Sequence, residues 1–569
     1  MKKRILGVIL VLAMLISSMT FLNVSAATPD KNAEPGSDAY TAWLEAEGYT
    51  AISNYAEFEA MKDNIAEGKY YLAADIKLEN TTYLVEGTWA IKFDGNGHTI
   101  YNAKANIFDA FSGTCKNVTF SKYTDETKTE TFDTTAWIFW QLETGAYVEN
   151  VVNERIFADV SNAWGCIAKL AKGTNIKLIN VVNESSISSP YPINNHKLGG
   201  FVGMVEPGTE ISFENCINYG DVMGSQVGGF IGIFNKDVTI SFKNCVNAGN
   251  IYGLVGKTSG EGSYGICGGF VGGYNNLNKG NAIEGNVTVN FEDCVNIGNV
   301  TRCEKGNAAT EPYKVTHGGL IGNLGLSTSG KYITLNVKNC LIQNCYIGGN
   351  TEWQDVVDET TGEVKTDYTQ GYAGAIVGWL GNVNAGDNVN IDGVIVNNVV
   401  IGAGDPETAS LFLNVTSKVE LKNVYAFGCT YNKVATGEYT IKNEGTATNV
   451  TVNKAQGSTP AEDAMNLRFL GSVDGLGYLS LGYLVAITVD GNTTYKMVST
   501  KTVYEAVNNG TGTLTKADFG GKHIVAIAVE GEAANVTATY TVTPFALAED
   551  GSVVVGVAKS VTLTNGVLS

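Results

Sequence analysis

The stretch Ile211-Ser212-Phe213-Glu214-Asn215-Cys216-Ile217-Asn218 decides the fold, because its pattern returns along the chain. Asn-Cys-Val-Asn follows at 244–247, Asp-Cys-Val-Asn at 293–296 and Asn-Cys-Leu at 339–341. Each phrase comes after a run in which apolar and polar residues alternate, which is the pattern of a β-strand. Strands that return with the same phrase indicate a solenoid, in which each repeat stacks on the one before it.

The position of Cys216 in this phrase can be aligned over ten copies at intervals of 26 to 54 residues. Cysteine exchanges with valine there, and because a free cysteine behaves as a small buried hydrophobe, the position indicates core packing. The preceding residue is nearly always asparagine, so a ladder of stacked amides is expected. Strands stacked about 4.8 Å apart predict an all-β, right-handed parallel β-helix. The ten copies are Val118, Val151, Val181, Cys216, Cys245, Cys294, Cys340, Val394, Val424 and Val450.

A second phrase, Gly-Gly-Phe/Leu-x-Gly, recurs between copies of the first. No helical pattern and no Lys-Ser/Thr pair follows it, so a phosphate-binding loop is not expected. The sequence instead predicts that these glycines turn a corner at positive φ, with the Phe or Leu pointing into the core. The copies are Gly199–Gly203, Gly228–Gly232, Gly268–Gly272, Gly318–Gly322 and a looser Gly374–Gly378.

This second phrase resembles the GLUG motif of secreted and surface β-helix repeat proteins of Gram-positive, Firmicutes-like bacteria. The resemblance covers roughly residues 165–380 with clear motifs. It implies a tandem β-helical repeat region. It carries no catalytic residue that could be transferred to this chain, so what it implies is architecture and a surface location.

The N-terminus has the composition of a secretory signal peptide over residues 1–26. Met1-Lys2-Lys3-Arg4 precedes an apolar run from Ile5 to Leu22, and small residues follow at Val24–Ala27. We therefore expect a secreted, extracellular protein, and an association with the cell wall fits the same export. The formal net charge of −19 argues against nucleic acid as a partner. No later run approaches the roughly 18 apolar residues of a membrane helix, so no transmembrane segment is expected.

Three further segments follow the signal peptide. Residues 27–84 are expected to form a linker and cap, with a short helix that begins at the N-cap Asn54 and has Glu57 at its third position. Residues 85–460 hold the β-helix repeats. Short strand-like runs and turns over 465–569 predict a β-sandwich of immunoglobulin or fibronectin type III character. That segment also resembles a C-terminal domain of Gram-positive surface proteins, through Leu467-Arg468-Phe469 and Val542-Thr543-Pro544-Phe545.

Candidate binding residues lie in the stretches between the two phrases. The gap from the cysteine position to the glycine phrase varies from 12 to 34 residues. Insertions that occur at the same point of each repeat project from one corner of a solenoid. Aromatic rings beside carboxylates at that corner could stack on sugars and hydrogen-bond them, or simply pack against the rod. The candidates are Tyr191, His196, Tyr252, Tyr264, Tyr313, Trp353, Asp355, Asp358, Tyr368 and Tyr372.

The sequence favours a non-catalytic, adhesin-like protein that binds an extracellular glycan or a component of a host or bacterial surface. A polysaccharide lyase or glycoside hydrolase is the first alternative, because β-helices host such enzymes, and a passive surface stalk is the second. No cofactor is expected, and calcium stays open. His98 near Asp94 fits either an acid–base pair or a simple turn. Cys303 and Cys345 lie off the ladder and are the candidates for a disulfide.

Overall fold

A computed structural model describes residues 28–79, 86–157, 163–189, 196–253, 264–275, 283–302, 314–348 and 372–401, with single gaps at 135, 326, 329, 382 and 398. It also describes strands at 356–357 and 364–365. From 409 onward it describes 409–413, 415, 419–422, 424–427, 429–431, 439–442, 450–456, 465–472, 478–489, 492–499, 522–529, 537–548, 553–555, 558–564 and 567–568.

Parallel strands stack rung on rung in four sheets, which confirms the all-β solenoid. The hand of the solenoid stays a prediction. Each full coil passes through sheet 1, sheet 2, sheet 3 and sheet 4 in that order. Sheet 1 contains two strands of most coils, separated by a bend at the asparagine. Its strands are Thr50–Ile52, Lys69–Leu72, Ile76–Lys77, Lys92–Asp94, Thr99–Tyr101, Thr114–Phe120, Tyr147–Asn153, Ile176–Ile179, Val182–Asn183, Glu210–Glu214, Ile217–Asn218, Val238–Lys243, Val246–Asn247, Val287–Glu292, Val295–Asn296, Ile333–Lys338, Leu341–Gln343, Asn388–Asp392, Ile395–Asn397, Val419–Lys422, Tyr425–Phe427 and Tyr439–Lys442.

The other three sheets contribute one strand to each coil that they include. Sheet 2 consists of Ile187–Ser188, Val222–Gly224, Ile251–Gly253, Val300–Arg302, Tyr346–Ile347, Val400–Ile401 and Thr430–Tyr431. Sheet 3 consists of Ala163–Gly165, Lys197–Gly199, Gln226–Gly228, Tyr264–Gly268, Lys314–Gly318, Ala373–Gly374 and Ala409–Ser410. Sheet 4 consists of Thr88–Trp89, Phe108–Phe111, Phe139–Leu142, Ala168–Ala171, Val202–Val205, Ile231–Phe234, Val271–Tyr274, Ile321–Asn323 and Val377–Trp379.

Antiparallel strands replace the solenoid pattern toward the C-terminus. Val450–Gln456 pairs antiparallel with Met465–Ser472, so the tenth copy of the repeat, assigned to Val450, is wrong. The immunoglobulin-like topology of this region stays a prediction. The remaining strands are Tyr478–Val489, Asn492–Ser499, Lys522–Val529, Thr537–Ala548, Val553–Val555, Lys559–Thr564 and Val567–Leu568, and two short pairs lie earlier, Asp133–Thr134 with Ile156–Phe157 and Val356–Val357 with Val364–Lys365.

The N-terminal end of the solenoid is covered by helical turns. The predicted helix spans Tyr55–Ala60, and Asn54 Oδ1 accepts the Glu57 N–H at 3.1 Å as its cap. Phe58 is fully buried against the first coil. The sequence did not predict a second helix, Asp38–Ala46, which begins at the N-cap Ser37. Across the described residues no helix is long and apolar enough to cross a bilayer.

The asparagine that precedes the cysteine position bends sheet 1. In the seven copies from Asn117 to Asn339 this residue has φ between 52° and 59°, a left-handed conformation that Asn, Asp and Gly adopt most easily. Gly393, with φ of 75°, holds the same position one coil later. The side chains also form the expected ladder, and each Nδ2 donates toward the N-terminus at 2.9–3.1 Å. Backbone conformation and amide stacking together therefore restrict this position. This outer ladder contains Asn117, Asn150, Asn180, Asn215 and Asn244.

A second, inner ladder lies in the core. It is formed by the other asparagine of the Asn-Cys-x-Asn phrase, and all of its side chains are fully buried. From Asn153 to Asn247, each Nδ2 donates to the Oδ1 of the next member at 2.8–3.0 Å. From Asn183 to Asn296, each Nδ2 also donates to a backbone carbonyl two residues ahead. The donors here point toward the C-terminus, opposite to those of the outer ladder. The members are Asn153, Asn183, Asn218, Asn247 and Asn296.

The prediction of positive φ at the Gly-Gly-Phe/Leu-x-Gly glycines is wrong, because the residues of positive φ do not include them. Their role is close approach. At the second glycine of the phrase, a side chain would meet the inner ladder and the carbonyl of the next rung, as at Gly229 with Asn247 and Gly269. At the last glycine, as at Gly232, it would meet the backbone of sheet 3 near Leu198. The phrase lets sheet 3 fold back onto sheet 4 without side chains between them.

The core confirms the packing role of both phrases. Phe201, Phe230 and Phe270 are buried and stacked, with ring centroids 4.5 and 4.8 Å apart. The cysteines of the ladder are buried and unbridged, and each of the four donates its thiol to the carbonyl two residues before it. Cys345 is also free and buried, whereas Cys303 lies outside the described residues.

Asp293 interrupts the outer ladder, and its replacement by asparagine should stabilise the fold. A carboxylate cannot donate, and the shielded Oδ1 of Asn244 on the preceding rung has no hydrogen-bond partner. Asp293→Asn would supply that donor, so we expect a gain of about 1 kcal/mol in the free energy of unfolding, measured by urea denaturation. Asn244→Asp is the control. It removes the donor to Asn215 Oδ1 and should destabilise by a similar amount. A loss of stability in Asp293→Asn would contradict this account.

Candidate functional site

The variable insertions begin and end at described strands along one corner of the solenoid. Four of them leave from strands of sheet 2 and return at strands of sheet 3, and the strands on either side are in register from coil to coil. The described strands on either side of the insertions therefore lie along one edge of the solenoid. The insertions span residues 190–195, 254–263, 303–313 and 349–371, apart from the short strands at 356–357 and 364–365.

Most of the predicted binding residues lie within these insertions, outside the described residues. They are Tyr191, Tyr313, Trp353, Asp355, Asp358 and Tyr368. Tyr264 begins the sheet 3 strand Tyr264–Gly268, where only its backbone is described. The side chains of His196, Tyr252 and Tyr372 are described, and they lie in three different settings.

His196 is a buried residue. Only 2% of it is exposed, its Nδ1 is hydrogen-bonded to Ser189 Oγ, and its backbone N–H and carbonyl both contact Ser225 Oγ. Burial lowers the pKa of the imidazole, so the neutral form is favoured near neutral pH. These contacts join neighbouring rungs at the start of sheet 3.

Tyr372 precedes the strand Ala373–Gly374, which follows the longest insertion. It is half-buried, its ring centroid lies 6.0 Å from that of Trp379, and its carbonyl accepts the His317 N–H at 2.7 Å. This pair belongs to the same corner as Tyr252, further toward the C-terminus.

Tyr252 lies on the outer surface of sheet 2, where other aromatic and apolar side chains are exposed. It is half-exposed and in register with Met223 on one side and Thr301 on the other. Tyr346 is 44% exposed on the same sheet, two coils further on. Tyr219 is 42% exposed at the bend that leads into sheet 2. We call this surface the tyrosine face; its members are Tyr219, Met223, Tyr252, Ile297, Tyr346 and Val400.

A third amide ladder runs along the tyrosine face. Asn250 donates both its backbone N–H and its Nδ2 to Asp221 Oδ1, at 2.8 and 3.1 Å. Asn299 makes the same two contacts to Asn250 Oδ1, at 3.2 and 3.0 Å, and Tyr346 donates its N–H to Asn299 Oδ1 at 3.0 Å. Because an amide nitrogen carries two donors, each asparagine retains a second N–H beyond this ladder. The face thus combines exposed rings with regularly spaced donors and one carboxylate.

A cluster of three tryptophans lies on sheets 3 and 4, and the sequence analysis missed it. Trp137 is buried, and its ring centroid lies 3.8 Å from that of Trp164 and 5.0 Å from that of Trp140. Lys169 Nζ lies 3.6 Å from the centroid of Trp140, and burial lowers the pKa of this ammonium group. Trp164 is in the first strand of sheet 3, so the cluster closes the N-terminal end of that sheet. The concentration of tryptophan between 137 and 164 was the available signal.

The proposed pairing of His98 with Asp94 does not form. His98 Nδ1 lies 3.1 Å from Asp75 Oδ1 at the surface. The Asp94 carboxylate accepts from Tyr40 Oη at 2.8 Å and from Asn117 Nδ2 at 3.1 Å, so it ends the outer ladder. Burial raises the pKa of Asp94, and the hydrogen bonds to its carboxylate oppose that shift. In the part of the chain that the structure describes, no three His, Cys, Asp or Glu side chains are grouped to hold a metal ion.

Comparisons with known proteins leave the chain without a family. No family model matches it, and no curated protein matches it. A solved structure described as "a putative immunoglobulin A1 protease from Bacteroides ovatus" is 16% identical, covering 49% of this chain and 84% of its own, with a TM-score of 0.31. A likeness at that TM-score carries no argument about fold or activity.

Proposed function

We propose that this protein binds an extracellular glycan through the tyrosine face and the adjacent insertion corner, as a non-catalytic adhesin-like rod. The observation that carries the proposal is that Tyr219, Tyr252 and Tyr346 lie exposed or half-exposed beside the Asp221–Asn250–Asn299 ladder. Tyrosine rings offer apolar faces on which sugar rings stack, and a tyrosine hydroxyl can donate and accept hydrogen bonds.

The spacing on this face favours an extended ligand over a compact one. Tyr252 and Tyr346 lie two coils apart, which corresponds to about 10 Å along the rod. The amides between them repeat at each rung. A chain of sugars lying along the rod would meet a ring near each end and amide donors between them.

The export signal, the GLUG resemblance and the solenoid agree with this function. Repeat rods present long surfaces, and binding residues commonly lie on insertions supported by the rigid coils. The insertion residues Trp353, Tyr368, Asp355 and Asp358 would then add contacts at the edge of the tyrosine face.

A glycan array with the full chain is the first test, followed by calorimetric titration of the glycans that bind. We expect the double variant Tyr252→Ala/Tyr346→Ala to bind about tenfold more weakly or worse, since each stacked ring contributes about 0.5–1.5 kcal/mol. Tyr332→Ala is the matched control, because Tyr332 is 39% exposed but precedes a strand of sheet 1. Binding by the double variant equal to that of the wild type, or no glycan bound by the folded chain, would refute the proposal.

A further inference from the structure

The outer surface of sheet 1 carries a row of charged residues whose sign alternates from rung to rung. Their positions are paired in register across successive coils, so one column runs along the rod. The side chains are exposed or half-exposed. The column continues to Ile179 before Glu214 and to Lys442 after Lys422, so the alternation covers six rungs of it. We call this alternating part the charged row; its members are Glu214, Lys243, Glu292, Lys338, Asp392 and Lys422.

Contacts within one rod explain part of this alternation. Lys338 Nζ lies 2.8 Å from Glu292 Oε1, and neighbours of opposite sign avoid repulsion between rungs. Such exposed pairs contribute little to stability. An ammonium group has three N–H donors and a carboxylate accepts several hydrogen bonds, so each group can also contact a second molecule. The internal pairs therefore leave the charged row able to bind another surface.

The order of signs makes the row complementary to itself. From Glu214 to Lys422 it alternates from negative to positive over six positions, so the reversed row has the opposite sign at every position. A two-fold axis between the Glu292 and Lys338 rungs would place Glu292 opposite Lys338, Lys243 opposite Asp392, and Glu214 opposite Lys422. Each contact then occurs twice, as in the isologous interface of a symmetric dimer. We propose that two copies of this chain associate side by side and antiparallel through the charged row.

The neighbouring residues of sheet 1 suit the same contact. Beside the charged row lies a ladder in which Asn390 donates to Asn336, Asn336 to Asn290, and Asn290 to Ser241, at 2.8–3.0 Å. Hydroxyl and amide groups both donate and accept, so this ladder can meet its own reversed copy without unpaired polar groups. Between Lys177 and Glu292 the surface is concave, with a volume of about 370 Å³ that can receive facing side chains.

The size of the surface indicates a weak contact. Six rungs span about 24 Å, and three outward residues per strand span about 14 Å. The area per copy is well below the roughly 800 Å² of a standard interface, and the net charge of −19 on each copy opposes association. We expect a dissociation constant on the order of 0.1–1 mM. A high local concentration of rods at a surface would favour the dimer.

Sedimentation velocity of the full chain over a concentration series tests the proposal at about 0.15 M salt. The wild type should show a reversible monomer–dimer equilibrium. Lys243→Glu/Lys338→Glu should weaken it at least about tenfold, because four of the six facing pairs become like-charged. Lys31→Glu/Lys172→Glu is the matched control, since it changes the net charge equally at exposed positions outside the row.

The decisive experiment measures the association of two charge variants when they are mixed. Glu292→Lys/Asp392→Lys, added to Lys243→Glu/Lys338→Glu, restores opposite charges at all six facing positions while both chains stay net negative. The mixture should associate, and neither variant should do so alone. The proposal is overturned by a wild type that stays monomeric throughout, by an equal loss in the control variant, or by a mixture that does not associate.

Discussion

Replacing Gly229 with alanine should unfold the middle of the solenoid or cost about 3–5 kcal/mol of stability. The added methyl group would overlap Asn247 Oδ1 of the inner ladder and the carbonyl oxygen of Gly269 on the next rung. Asn247 Oδ1 accepts from Asn218 within the buried ladder, and the Gly269 carbonyl accepts the Gly229 N–H, so neither can move without breaking a hydrogen bond. Overpacking typically costs about 1–3 kcal/mol, and lost buried hydrogen bonds add to it. The shift of the urea midpoint measures the effect.

The chain itself provides a matched control for that substitution. Ala375 holds the equivalent place in the last copy of the phrase, beyond the end of the inner ladder at Asn296. Ala375→Gly should cost only about 1 kcal/mol, mainly through greater freedom of the unfolded chain. In a double-mutant cycle, Asn247→Ala should cost less in the Gly229→Ala background than in the wild type. Equal costs in both backgrounds would show that the methyl group does not act through the ladder.

The sequence alone was sufficient for the solenoid and for one of its ladders. The exchange of cysteine with valine after a nearly constant asparagine identifies a buried position beside a stacked one, and both lie where that pattern predicts. The sequence also showed at which point of each repeat the insertions occur, because the spacing between aligned phrases can be counted along the chain. The capping helix at Tyr55–Ala60 followed from its local N-cap signal.

The features that were missed depend on contacts between rungs that are distant in sequence. Glycine at 229 has two explanations, positive φ or close approach, and only the position of Asn247 on the neighbouring rung decides between them. The tyrosine face was missed for a similar reason. Tyr219 and Tyr346 lie in the stretches between the two phrases, but their exposure depends on how the side chains of neighbouring rungs pack. Tyr252, which the sequence analysis did identify, is in register with Met223 on the same face.

The N-terminal end of the inner ladder carries a partial negative charge, and the guanidinium of Arg155 lies against it. All donors of the ladder point toward the C-terminus, so the first oxygen, Asn153 Oδ1, is the negative end of an aligned row of amide dipoles. Arg155 Nε donates to this oxygen at 2.9 Å. The outer ladder has the opposite polarity and ends on the carboxylate of Asp94. Each ladder therefore ends on a charge of the sign that its dipoles favour.

Arg155→Met should be among the most destabilising substitutions in the chain, with a loss of about 3–5 kcal/mol. The side chain is fully buried, and its Nη1 and Nη2 donate at 2.9 Å to the carbonyls of Ala136 and Cys166. Burial lowers the pKa of the guanidinium to about 9, which leaves it charged at neutral pH. Methionine fills similar volume but leaves two buried acceptors, Asn153 Oδ1 and the Ala136 carbonyl, without the Arg155 donor, each costing about 1–3 kcal/mol. The Cys166 carbonyl keeps its hydrogen bond from Asn153 Nδ2.

The variant Arg155→Lys separates the contribution of the positive charge from that of the guanidinium geometry. Lysine keeps the charge, but a single ammonium group cannot match the planar fork that reaches Asn153, Ala136 and Cys166 at once, so an intermediate loss is expected. Lys172→Met, at an exposed position, controls for loss of a cation and should change stability by less than about 0.5 kcal/mol. Urea denaturation gives the ranking. If Arg155→Met were as stable as the wild type, the buried cation would not hold the end of the ladder, and aligned amide dipoles would not need a charge to terminate them.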